Sequence, residues 1–224
     1  MVGTARQRKR EMTTAREEIL QMIRGATAGL NESREAEYAA ISRKYERSGE
    51  LDTDARLELF ADRLRDYNTA VHVCAEHEIA QAVAESCQDF GKMRLLISDG
   101  IPDTWRPNTM EFFRDECLPY EALDRADGVL TGCAVAIART GTIVLRHSRE
   151  EGRRALSLVP DFHICVVFAE QVVETVPEAI QIMSGFGSTP LTTICGPSAT
   201  SDIEMTRVKG VHGPRILKVV LVRA

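Results

Sequence analysis

The stretch DGVLTGCAVAIARTGTIVL, from Asp127 to Leu145, constrains the fold more than any other part of this chain. Its apolar residues are small or β-branched, Gly128, Gly132 and Gly141 interrupt them, and Thr140-Gly141-Thr142 has the composition of a turn. Glycine accepts backbone conformations that a Cβ excludes, so the pattern predicts two short buried strands with a backbone bend between them. A surface loop has no use for so many small apolar side chains.

Buried strands need covering layers, and the preceding residues supply them. AVHVCA (70–75) reads as a strand, about Glu76 to Phe90 as a helix with Gly91 past its end, and MRLLIS (93–98) as a second strand. Strand, helix, strand over so short a span implies a parallel pair joined by a crossover helix. The turn after the first strand, CAEHEIA, has neither GxGxxG nor GxxxxGK followed by Ser or Thr, so a dinucleotide or phosphate cradle lacks its main support there. Residues 99–120 read as irregular, with Pro102, Pro107, Pro119 and the single tryptophan, Trp105, which either gates a pocket or anchors the loop by burial. A short helix, 121–126, leads into the central stretch. Further on come a strand from His163 (HICVVF), helix at AEQVV and at Pro177–Ser184, a strand LTTIC ending at Cys195, and the final strand ILKVVLV.

Upstream, helices are expected from Thr13 or Thr14 to Gly25, over Glu32–Arg47 and over Asp54–Tyr67. In the last, Leu57, Phe60, Ala61 and Leu64 recur at helical spacing, and Asp52, Thr53 or Asp54 stands where a cap is needed. The chain thus divides into a helical extension, residues 1–66, and an α/β domain, residues 67–224.

A formal charge of −5 argues against a general nucleic-acid surface and favours a small metabolite or a protein partner. No apolar run approaches the roughly 18 residues of a membrane span, and the polar N-terminus lacks the apolar centre of a secretory signal, so a cytoplasmic protein is expected. The basic string Arg6, Arg8, Lys9, Arg10 reads as a solvated tail; a transit peptide is the rival, weakened by Glu11, Glu17 and Glu18. The six cysteines are scattered without CxxC or CxH pairs, the usage of small buried hydrophobes rather than of a zinc or iron–sulfur site. No metal site and no flavin, nicotinamide or cluster cofactor is expected.

Polar chemistry concentrates after LTTIC. Gly196, Pro197, Ser198, Thr200 and Ser201, then Asp202 and Glu204, place hydroxyls, turn amides and two carboxylates at a strand's carboxyl end, where α/β sheets bind ligands. Such a turn can wrap an anion, or Ser201 or Asp202 can simply cap a helix. Glu204 is the candidate carboxylate for acid–base work, and His212, in GVHGPR, the candidate imidazole; a turn-building role is the alternative for His212. Arg153 and Arg154 can fork onto an anion or lie solvated. His163 reads as a hydrogen-bonded histidine at the edge of the core.

DGVLTGCAVAIARTGTIVL, RRALSLVPDFHICVVFAEQVV and CGPSATSDIEMTRVKGVHGPRILKVVLV, in that order, resemble the lactate utilization protein C, or LUD-domain, family over roughly Tyr67 to Val222. The resemblance implies a three-layer Rossmann-like α/β fold of the ribose-5-phosphate isomerase, glucosamine-6-phosphate deaminase and CoA transferase type, preceded here by the helical extension. It further implies an accessory subunit of an iron–sulfur complex oxidising L-lactate to pyruvate. A small anionic metabolite would bind near Thr140, Gly141 and Thr142, Arg154, Gly196 to Glu204, and His212. A stand-alone enzyme on a sugar phosphate or acyl-CoA, and a degenerate binding module, are the alternatives. The family pattern carries an acid before the Thr-Gly-Thr turn; Arg139 stands there in this chain, a charge reversal that points to an altered ligand preference or a lost activity.

Overall fold

The last strand of the chain closes the molecule. VVLV reads as buried on both faces, and ILKVVLVR forms a strand, Ile216–Arg223, that lies between the first strand and the strand from Phe162 to Phe168. The computed structural model describes residues 4–28, 36–88, 90–91, 94–200, 208–209 and 212–223. These fall into two units, 1–45 and 46–224.

The first unit contains helix α1 (Thr4–Thr27), which starts earlier and ends slightly later than its sequence suggests. Of the helix expected over 32–47, the described residues 36–40 are helical and 41–50 are not. Arg43 lies over the Tyr38 ring, 4.6 Å from its centroid.

The second unit begins with helix α2 (Thr53–Asp66) and continues through β1 (Ala70–Ala75), α3 (Ile79–Gln88), β2 (Arg94–Ile97), β3 (Glu111–Arg114), α4 (Tyr120–Asp124), β4 (Gly128–Thr131), β5 (Val135–Ile137) and β6 (Thr142–Leu145). Then come α5 (Arg154–Leu158), β7 (Phe162–Phe168), β8 (Val172–Val173), α6 (Val176–Ser184), β9 (Thr192–Ile194), β10 (Ala199–Thr200), β11 (Val208–Lys209) and β12 (Ile216–Arg223). Six strands form a parallel sheet in the order β1-β12-β7-β4-β2-β3. A smaller sheet has the order β8-β5-β6-β9, with β5–β6 and β6–β9 antiparallel. This is a three-layer, Rossmann-like α/β body.

Alternation along the strands assigns the layers. Ile164, Val166, Val220 and Val222 pack with Ile79, Ala82 and Val83 of α3 on one face. Cys165, Val167, Val219 and Leu221 pack with Leu57, Phe60 and Leu64 of α2 and with Ala136, Ile143 and Leu145 of the small sheet on the other. Helix α6 covers the outer side of that small sheet through Ala179, against Val135, Ile137 and Val144. Burial of these apolar side chains, worth about 25 cal/mol per Å² removed from water, is the main stabilising term.

Several readings change. The central stretch holds three strands, because the chain crosses from β4 in the large sheet, through Gly132, into the β5–β6 hairpin of the small one. Strands β1 and β2 are parallel but not adjacent, since β12, β7 and β4 stand between them. The loop over 99–120 contains an added edge strand, β3, while AEQVV forms a tight turn and the short β8 rather than a helix. Helix α2 packs into the unit of residues 46–224: Leu57, Phe60, Ala61 and Leu64 are all buried.

Other local readings hold. Asp52 caps α2 by accepting from the Ala55 amide at 2.8 Å. Thr175 and Glu178 form a capping box at α6, with Pro177 in its first turn. Trp105 is buried against Phe168 as an anchor. Four of the six cysteines, Cys74, Cys87, Cys133 and Cys165, are buried as expected, whereas Cys117 and Cys195 are exposed; burial pushes the Cys74 thiol up to about 11 and the Cys87 thiol up to about 12, which makes those two inert at neutral pH. Among the described residues no helix is long and apolar enough to cross a membrane.

Arg139 serves the fold. Its guanidinium donates to Glu174 at 2.7 Å and to Glu46 at 2.9 Å, joining the segment before α2 to the small sheet. Glu174 also accepts from the Leu51 amide at 2.7 Å, and Glu178 from the Gly49 amide at 3.2 Å. Gly49 is required because a Cβ there would fall 2.0 Å from the Glu174 carboxylate. The Leu51 amide, with Arg139 adding to it, holds Glu174 below the usual carboxylate range. A lowered carboxylate stabilises the folded state above the unfolded value, about 4.3, and that contribution is lost as pH falls through the lower folded value. Arg139→Glu should therefore accelerate amide exchange over residues 46–52 at neutral pH, and wild-type protein should show the same loosening only in acid. Hydrogen exchange followed by mass spectrometry reads both; unchanged exchange in the variant would deny Arg139 this clamping role.

Candidate functional site

The turn that follows β9 is built by close approach. Gly196 adopts φ +88°, and a Cβ on it would stand 2.6 Å from Cβ of Tyr67, the residue that ends α2. The chain can then turn back toward the residues before β12. The Ser198 amide donates to the Pro214 carbonyl at 2.8 Å, and the Ser198 hydroxyl oxygen accepts from the His212 amide at 3.0 Å. Two segments distant in sequence are thereby stapled together.

They enclose a cleft of about 230 Å³. Cys195 to Ser198 and His212 to Pro214 form one side, Thr192 to Ile194 of β9 another, and Leu158, His163 and Leu217 line it from the body. The cleft lies at the amino ends of β7 and β12. The sequence placed this loop at a strand's carboxyl end, which is true of β9, but β9 is an edge strand of the small sheet and its end falls beside the starts of the large sheet's central strands.

His163 is the polar residue of this cleft that sequence reasoning undervalued. It is fully buried on β7, and its Nε2 lies 2.8 Å from Thr131 Oγ1, as befits a hydrogen-bonded core histidine. Yet it lines the cleft, and its Nδ1 has no hydrogen-bond partner among the described residues. Burial lowers its pKa to about 4, so the ring is neutral at pH 7. The available signal was an ionisable residue inside FHICVVF, a strand otherwise apolar on both faces.

Of the expected site residues, Gly196, Pro197, Ser198 and His212 come together here, with His212 exposed. Thr200 is paired through β10 with Val208. Asp202 and Glu204 lie outside the described residues. Thr140, Gly141 and Thr142 do not line the cleft. They support it instead: Thr142 Oγ1 lies 2.7 Å from Thr140 Oγ1 and 2.9 Å from Cys195 Sγ, so the two signature loops meet. Gly141, at φ +62°, presses against α2, where a Cβ would be 2.9 Å from Arg63 Cβ. Arg154 is exposed on the first turn of α5 and is not among the residues that line the cleft, although Ser157 and Leu158 of the same helix are. Arg153 forks onto Asp115 at 2.6 and 3.0 Å, beside a separate cleft at the carboxyl ends of β2 and β3.

The LUD domain family model matches residues 101–222, which include both meeting loops and the strand that carries His163. The chain belongs to the LUD-domain family. Lactate utilization protein C of Deinococcus radiodurans is 48% identical over 169 residues, 74% of this chain and 79% of that protein. Lactate utilization protein C of Shouchella clausii is 35% identical over 106 residues, about half the length of that relative at 46%. A crystal structure of a DUF162 family protein from Deinococcus radiodurans superposes with a TM-score of 0.68 at 41% identity, covering 77% of this chain and 99% of that one. In this LUD domain, then, the two signature glycines make room for α2, and the loop that carries Gly196 forms one wall of the cleft.

Two outcomes test this division of labour. Gly187, also left-handed at φ +65° but with open space around it, gives a reference for backbone cost alone. Gly187→Ala should lose about 1–2 kcal/mol, and Gly141→Ala roughly 1–3 kcal/mol more because it must displace the helix backbone, as urea unfolding midpoints will show. For His163, the unfolded ring titrates near 6.5 and the folded ring near 4. Between those values the unfolded chain binds more protons, so stability falls as pH falls. From pH 7 to pH 5 the wild type should lose about 2 kcal/mol more than His163→Gln; equal losses would show that His163 is not held neutral.

Proposed function

We propose that this LUD-domain chain acts in lactate utilization, as the subunit without clusters that works beside iron–sulfur proteins oxidising L-lactate to pyruvate. On this reading the cleft between the second signature loop and β7 holds a small anionic metabolite, and the electrons pass through the partners. The single observation that supports the reading is the 48% identity to lactate utilization protein C of Deinococcus radiodurans across 79% of that protein. The acidic chain, with a formal charge of −5, suits protein and metabolite partners better than nucleic acid. A stand-alone enzyme on a sugar phosphate or acyl-CoA would need Arg154, Glu204 and His212 to converge; His212 lines the cleft and Arg154 does not.

Deleting the gene should slow growth on L-lactate and leave growth on glucose intact, with recovery on return of the wild-type chain. The tagged protein should co-purify with proteins rich in clustered cysteines. Normal growth of the deletion strain on L-lactate would exclude the role. A thermal-shift comparison of L-lactate, pyruvate, sugar phosphates and CoA esters tests the ligand directly, because a compound that binds only the folded state raises its melting temperature.

A further inference from the structure

We propose that the Nδ1–H of His163 is the anchor of the cleft, donating to a carboxylate oxygen of a small monocarboxylic acid. The proposal rests on the reading of the cleft as a ligand site, and not on lactate being the occupant.

Hydrogen-bond accounting places the proton. His163 Nε2 and Thr131 Oγ1 are 2.8 Å apart, and among the described residues neither atom has a second partner. If the Thr131 hydroxyl donates to Nε2, both groups are satisfied and the ring proton sits on Nδ1. If Nε2–H donates to Thr131, the threonine hydroxyl lacks an acceptor and the Nδ1 lone pair lacks a donor. Two unmet buried groups cost more than one, so the first arrangement is preferred. It leaves one buried N–H with no acceptor among the described residues, on a residue that lines a cleft. The low pKa of the ring agrees, since it keeps the imidazole neutral and its tautomer defined at physiological pH.

The walls select the guest. No Asp or Glu lines the cleft among the described residues. No Lys or Arg lines it either, which suits a single carboxylate better than a phosphate, whose greater charge calls for a guanidinium or ammonium. Ser198 supplies a second donor: its oxygen accepts from the His212 amide, and its own proton meets no acceptor among the described residues. Leu158, Pro214 and Leu217 offer apolar contact for a short carbon skeleton. At about 30 Å³ per water, the volume of about 230 Å³ takes such an acid with a few waters.

The test uses the full-length protein labelled with ¹⁵N-histidine. In the free protein His163 should show the Nδ1–H tautomer, and addition of acetate, L-lactate or pyruvate should shift Nδ1 while leaving inorganic phosphate without effect. Asparagine carries an N–H near the Nδ1 position, and glutamine carries one near Nε2. His163→Gln should therefore weaken acid binding roughly ten- to hundred-fold, the scale of a hydrogen bond to a charged group, while His163→Asn retains most of it. An Nε2–H tautomer, or an acid that binds with the His163 signals unmoved, overturns the anchor and leaves the cleft standing as a ligand site. Failure of all the acids to bind overturns both. Because the tautomer is read on wild-type protein, a variant that does not fold cannot shield the proposal.

Discussion

The C-terminal turn of α2 sets the distances around which the functional region is arranged. Arg63 and Leu64 come so close to Gly141, and Tyr67 so close to Gly196, that a Cβ at either glycine would overlap the helix. Burial drives the approach: Phe60 and Leu64 are fully enclosed between the large sheet and the small one. The glycines of both signature loops thus answer a packing demand. Thr142 and Cys195, beside them, bring the loops into contact at 2.9 Å.

The C-terminal strand supplies the second constraint. Inserting β12 between β1 and β7 brings residues 212–214 next to the start of β7, where His163 lies. Ser198 then ties the loop after β9 to that same edge. The cleft forms because the small sheet delivers its edge strand to the amino ends of the large sheet's central strands. His163, the deeply buried titratable side chain among its described lining residues, is kept neutral by its removal from water.

Much of the fold was legible because it is written in short-range pattern. Leu57, Phe60, Ala61 and Leu64 announce a helix with one apolar face, Asp52 its beginning, and Thr175 with Glu178 and Pro177 another helix start. The apolar runs at 70–75, 162–168 and 216–223 are strands for the same reason. Arg139 shows the limit of such reading. As a charge beside a signature turn it suggested ligand selectivity, but its partners Glu46 and Glu174 lie 93 and 35 residues away, and no local pattern names them. Arg154 had the right type and neighbourhood, but it is exposed at the start of α5 and does not line the cleft.

The amino-acid sequence by itself determined the elements, their alternating apolar faces and membership in the LUD-domain family, because periodicity and motif are properties of neighbouring residues. Tertiary structure alone decided the strand order, the inclusion of α2 in the core and the conversion of His163 from a core residue into the floor of a cleft. These depend on which surfaces exclude water together. That choice is made by contacts between residues far apart in the chain, where only the summed burial of the whole body distinguishes one arrangement from another.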